Sequence, residues 1–168
     1  MTQATTIWTK LDTSAFGDFI ATSGWAFPTI ETVHVFALVT VIGAIAIMDM
    51  RLLGWRAADV PVTTVARDTL RVTWVGFIIA AITGTMMFIG KANVYVINPY
   101  FLAKMAMLAL VGLNMLYFHF VTWKNVDQWD TAAAIPTNVK VAGLVSLIFW
   151  VVIVFLGRVI GFTLGMFF

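Results

Sequence analysis

Inside long apolar runs the sequence sets two histidines, His34 and His119, two isolated cations, Lys104 and Arg158, and a Glu31-x-x-His34 pair. Ionisable groups in such surroundings are costly, so each is a candidate site. A carboxylate three residues before an imidazole shares one helical face with it, as in some metal-binding bundles. Glu31 in the first turn of its helix can hold His34 in one tautomer and leave the other ring nitrogen for a metal. Met86, Met87 and Met105 add thioethers suited to copper or haem iron. Lys104 and Arg158 suit an anionic partner such as haem propionates, a lipid phosphate or a quinone oxygen. The same residues also make an internal salt-bridge network, with Glu31 meeting Lys104 or Arg158 and His34 hydrogen-bonded. No Ser–His–acid spacing, Gly-rich phosphate loop, close carboxylate pair or dinucleotide motif is visible.

A second polar group comprises Asp49, Arg51, Arg67, Asp68, Arg71, Asn114 and His119. It reads as a belt at the headgroups, or as a proton path from His119 to Asp49 that would mark a small proton-coupled transporter.

The elements that position these residues follow from composition. Of 168 residues, 61% are hydrophobic and 11% charged, against about 25% charged in soluble domains. With a mean hydropathy of +0.97, the chain belongs in a lipid bilayer. A net charge of +2 with scattered basic residues excludes nucleic-acid binding. The absence of cysteine excludes disulfides, Fe–S clusters and thiolate metal sites.

A spanning helix needs about 20 mostly apolar residues. Four stretches qualify: Thr29–Arg51, Val72–Gly90, Tyr100–Thr122 and Val141–Phe162. Pro28 opens the first, Gly90-Lys91 closes the second, Asn98-Pro99 opens the third and Pro136 precedes the fourth. The expected fold is therefore all-α, a single four-helix transmembrane bundle. Residues 1–28 form an N-terminal segment whose Thr13–Ser23 stretch reads as a short interfacial helix capped by Thr13 or Ser14, or else as a loop covering the bundle end.

Arg51, Arg56, Arg67, Arg71, Lys124 and Lys140 flank one membrane side, which makes that side cytoplasmic and leaves both termini outside a bacterial inner membrane. Glu31, His34 and Asp49 share a face of the first helix, and Lys104, Leu108, Gly112, Met115 and His119 one of the third. His34 lies near the outer end and His119 near the inner, roughly 21 Å apart along the membrane normal, so the two cannot share one metal or haem within a chain. Gly76, Ala80 and Gly84, and again Gly157, Gly161 and Gly165, recur at the four-residue spacing that lets helices touch in lipid. The first stripe reads as packing inside the bundle, the second as a homo-oligomer contact or a contact within a larger membrane complex.

The runs Phe27-Pro28-Thr29-Ile30-Glu31-Thr32-Val33-His34 and Asp49-Met50-Arg51-Leu52-Leu53-Gly54 resemble those of a bacterial four-helix membrane family of unknown function. Phe101-Leu102-Ala103-Lys104-Met105 and Asn114-Met115-Leu116-Tyr117-Phe118-His119 extend the resemblance over most of the chain. More loosely, the layout is similar to the copper-resistance D proteins and the membrane protoporphyrinogen oxidases. In the latter a membrane histidine and lysine are associated with haem, parts that only His34 and Lys104 can take here. The expected function is a membrane protein binding haem b or copper near the outer leaflet through His34. The alternatives are a non-catalytic accessory subunit and a small transporter.

Overall fold

A computed structural model describes residues 6–131 and 135–166. It is helical throughout, with no strand among the described residues. Two short helices, α1 (Ile7–Asp12) and α2 (Ala15–Thr22), precede the first long one, α3 (Ala26–Leu52). Helix α4 (Val62–Gly90) returns, and α5 (Ala92–Ile97) turns the chain into α6 (Pro99–Tyr117). A π turn (Phe118–Thr122) and a 3₁₀ turn (Trp123–Gln128) lead to the last long helix, α7 (Thr137–Thr163). Four of these segments are long and apolar enough to cross a membrane, the third being α6 with its two following turns. Large side chains such as Phe36, Val39, Val75, Ile78, Val151 and Phe155 point outward, as lipid solvation requires. The chain is a multi-pass membrane protein in architecture.

Local chemistry sets the helix ends. Ser14 accepts the Gly17 amide at 3.0 Å and starts α2. Asn98 starts α6 by accepting the Tyr100 and Phe101 amides, with Pro99 at the first helical position where no donor is needed. Gly54, at φ +74°, ends α3: the Gly54 and Trp55 amides fold back onto the Arg51 and Met50 carbonyls, both at 3.0 Å, the left-handed cap that glycine allows.

Three boundaries depart from the sequence reading. Helix α3 begins at Ala26, so Pro28 sits within its first turn and Glu31 lies beyond that turn. Helix α4 begins ten residues before Val72, and its polar first turns make the preceding connection short. The N-terminal segment forms two helices in place of one interfacial helix, and they dock on the bundle; residues 1–5 of that segment lie outside the described ones. Asp12 accepts the Ala92 amide, the Asn93 amide and the Asn93 side chain, and so caps α5 from 80 positions away. Ile20 is fully buried against Gly90.

The seat of α2 against the end of α1 and against α4 depends on backbone proximity. A Cβ added at Gly17 would stand 2.9 Å from the Asp12 carbonyl oxygen and 3.1 Å from that of Ile89. Backbone atoms cannot swing aside, so Gly17→Ala is expected to destabilise the folded protein by about 2 kcal/mol. Thermal unfolding in mild detergent measures this, and an unchanged midpoint would show that Gly17 is not held against the carbonyls of α1 and α4.

Helix α3 packs along α4 and against α7, and α6 packs along α7. The first small-residue stripe lies at the α3–α4 contact: a Cβ at Gly76 would come within 2.8 Å of Val41, and Ala80 is buried. Close approach in lipid, where packing drives association, accounts for that spacing. Val41, Trp150 and Ile153 form the mid-depth core. Extensive close backbone packing between α4 and α6 is lacking among the described residues. Their side chains meet at the end of the bundle that carries α5, where Phe88 stacks on Phe101 with centroids 5.7 Å apart. Tyr95 and Trp8 complete this aromatic roof.

Candidate functional site

His34 is half-buried, and its ring lies on the bare backbone of α4 at Gly84, where a Cβ would stand 3.1 Å from Cε1. Its Nδ1 is 2.9 Å from the Thr83 hydroxyl. That hydroxyl has one proton, and the Ile79 carbonyl accepts it at 2.7 Å. Thr83 therefore accepts from His34, which puts the ring proton of the neutral imidazole on Nδ1. In that tautomer the lone pair is on Nε2, and the Ala80 carbonyl is a further backbone acceptor for the ring. A threonine bonded back to its own helix thus favours this tautomer, the role the sequence reading gave to Glu31.

Lys104, from α6, lies close enough to act electrostatically on His34. Its Nζ rests beside Gly157 of α7, 3.4 Å from where a Cβ would be. Lys104 has no carboxylate within ion-pair distance among the described residues; the ion pair found there is Arg67–Asp68, 3.8 Å apart and exposed. The site is thus an imidazole and an amine set in the half of the bundle nearer α5, under the aromatic roof. Thr83, Gly84 and Gly157 make room for them.

The other two members of the expected outer cluster stand apart. Glu31 is exposed and faces the rim, where its charge acts on Tyr95. Burial, and then the Glu31 carboxylate, push the Tyr95 hydroxyl up to about 12, so it stays protonated at physiological pH. Arg158 is exposed, with its guanidinium 4.6 Å from the centroid of the Phe162 ring. Neighbouring helix positions diverge by about 100°, so with Gly157 turned to Lys104, Arg158 turns away. The expected Glu31–Arg158 and Glu31–Lys104 bridges are not formed among the described residues. Met105 is 40% exposed, while Met86 and Met87 are partly buried.

The inner group divides by element. Arg51, only 1% exposed, donates from Nε to the Val60 carbonyl at 2.7 Å and from an η nitrogen to the Asp130 carbonyl at 3.2 Å. Asp130 in turn accepts the Thr63 amide and the Thr63 hydroxyl, both at 2.8 Å, through its two carboxylate oxygens. Helix α4 follows Pro61 and has no cap from its own N-cap residue; a carboxylate 67 positions away supplies one. The sequence reading did not single out Asp130, because a cap so distant leaves no local pattern. Asp49 is buried beside Gly143 and Ser146 of α7, with Oδ2 unpartnered among the described residues. Asn114 donates to the Ala142 carbonyl at 3.0 Å. Arg71 and His119 are both exposed, His119 on the π turn. No hydrogen bond links His119 directly to Asp49 among the described residues.

No group of three or more His, Cys, Asp or Glu side chains able to hold a metal occurs among the described residues. No curated protein and no solved structure matches the chain, so the looser likeness to copper-resistance D proteins and protoporphyrinogen oxidases gains no support there. The model of a family of unknown function, DUF6644, matches residues 7–163. That range runs from the first residue of α1 to the last of α7 and includes the His34–Lys104 site, and the chain belongs to this family.

Proposed function

We propose that this membrane protein binds haem b in the outer half of the bundle, where His34 Nε2 would hold the iron and Lys104 would partner an acidic haem substituent. The observation that supports the reading is the His34–Thr83 bond, which puts the ring lone pair on Nε2. A ligating histidine usually donates its other N–H in this way. Haem needs only one protein imidazole, which favours it over copper in a site without three convergent ligands. Bound there, haem would supply one-electron exchange at iron. The chain's own part is to orient the imidazole, supply a cation and exclude water beneath Phe88 and Phe101. Protein purified in mild detergent from haem-replete cells is expected to show a Soret band that shifts on reduction.

A non-catalytic accessory subunit is the second reading. It draws on the inner end, where Arg51 and Asp130 serve backbone groups alone. A colourless, iron-free preparation would remove the haem reading and leave this one. The proposal includes a homo-oligomer joined across α7, since a side chain at Gly161 would meet open space.

The proposed setting is a bacterial inner membrane with the α3–α4 and α6–α7 connections in the cytoplasm, because Arg51, Arg56, Arg67, Arg71, Lys124 and Lys140 gather on that side. Cysteines placed at the exposed positions Ala21 and Asp127 are expected to react with an impermeant maleimide from outside and from inside, respectively. Labelling of Asp127→Cys in intact cells would reverse the orientation.

A further inference from the structure

We propose that the groove between α3 and α4 holds an acyl chain of an anionic phospholipid whose phosphate sits at Arg71. The groove is a shallow, open one of about 450 Å³ on the side of the bundle. Its floor is Ala37 and Gly76, where the small-residue contact brings the two helices together, and Phe36, Val75 and Ile79 stand along its walls. The one hydroxyl on the α3 side, that of Thr40, donates to the Phe36 carbonyl at 2.9 Å. It therefore presents little polarity to an occupant. Arg71 is the charged residue lining the groove, and it lies towards the inner end of α4.

Depth matches the polarity of a lipid. Helix α4 has 29 residues and is about 43 Å long, well beyond a hydrocarbon core of about 30 Å. Its first turns carry Thr63, Thr64, Arg67 and Asp68, so the surplus length extends into the headgroups at that end. Arg67, Arg71, Val75 and Ile79 follow one another at four-residue intervals on one face, changing from cationic to apolar with depth. A phospholipid of that leaflet has the same sequence of properties, phosphate first and hydrocarbon after. A second copy of the chain fits poorly: two-fold pairing through this face would set Arg71 against Arg71 at one depth, with no carboxylate lining the groove to offset them.

The test is native mass spectrometry of delipidated protein reloaded with equal amounts of phosphatidylglycerol and phosphatidylcholine of matched chain length. The parent is expected to retain the anionic lipid about fivefold in preference, the effect of one cation at the membrane surface. Arg71→Gln, an exposed change, removes the preference, and Arg56→Gln on the same side leaves it. Val75→Trp, which fills the groove from its wall, lowers retention of both lipids. Equal retention by the parent, an undiminished preference in Arg71→Gln, or an equal loss in Arg56→Gln would each overturn the proposal. Displacement of the bound lipid by glycerol phosphate alone would also do so, because the site would then recognise only an anion.

Discussion

His34→Ala is expected to yield protein without bound iron or a Soret band, while His119→Ala retains both. The two changes remove the same chemical group from different places. His34 is held by Thr83 under the aromatic roof with its lone pair on Nε2, whereas His119 is exposed on a π turn at the far end of α6. Thr83→Val keeps the shape and withdraws the acceptor for Nδ1, so haem is retained less tightly, by about 10- to 100-fold as for other outer partners of ligating histidines. Pyridine haemochrome and iron analysis of the four proteins check this. Equal loss from both histidine changes would place the ligand set between two chains, and iron unaffected by His34→Ala would end the assignment.

The largest expected effect on stability lies at the opposite end. Arg51→Ala is expected to cost about 3 kcal/mol or more. Two hydrogen bonds from a charged donor are lost, each worth about 1.5–3 kcal/mol, and the Val60 carbonyl loses its donor. Arg51→Met restores much of the buried volume without the donors, so it should fall between Ala and the parent. Reversible unfolding in detergent, read by circular dichroism, measures all three. A loss below about 1 kcal/mol for Arg51→Ala would show that water satisfies Val60 and Asp130 equally well.

These two ends were unequally legible in the sequence. The four spans, the Asn98 cap and the packing role of the Gly76–Ala80–Gly84 stripe follow from apolar run length, a polar residue before proline and a four-residue repeat. All three are local signals. The start of α4 was not legible, because Thr63, Arg67, Asp68 and Arg71 read as a loop and the residue that caps them lies beyond α6. In the candidate site, type and depth brought out His34 and Lys104, while helical phase decided the rest. Arg158 is one position from the glycine that faces Lys104 and is thereby turned outward. Glu31, although three residues from His34, is exposed towards Tyr95, and Thr83 takes its expected part.

The Asp130 cap also bears on how the chain is made. Helices α3 and α4 form an adjacent pair and leave the ribosome first, yet the Val62 and Thr63 amides and one arm of Arg51 find their partners only on Asp130. At about 5–20 residues per second, the 68 positions from Val62 to Asp130 take several seconds to synthesise. For that interval the first hairpin is inserted but not latched, with a guanidinium and the leading turn of α4 hydrated at the membrane surface. The third span must cross before the connection bearing Asp130 can return to close it. Closure of the first hairpin on the Arg51 side thus waits for the third span, and a chain truncated before residue 130 would carry that hairpin in an open form.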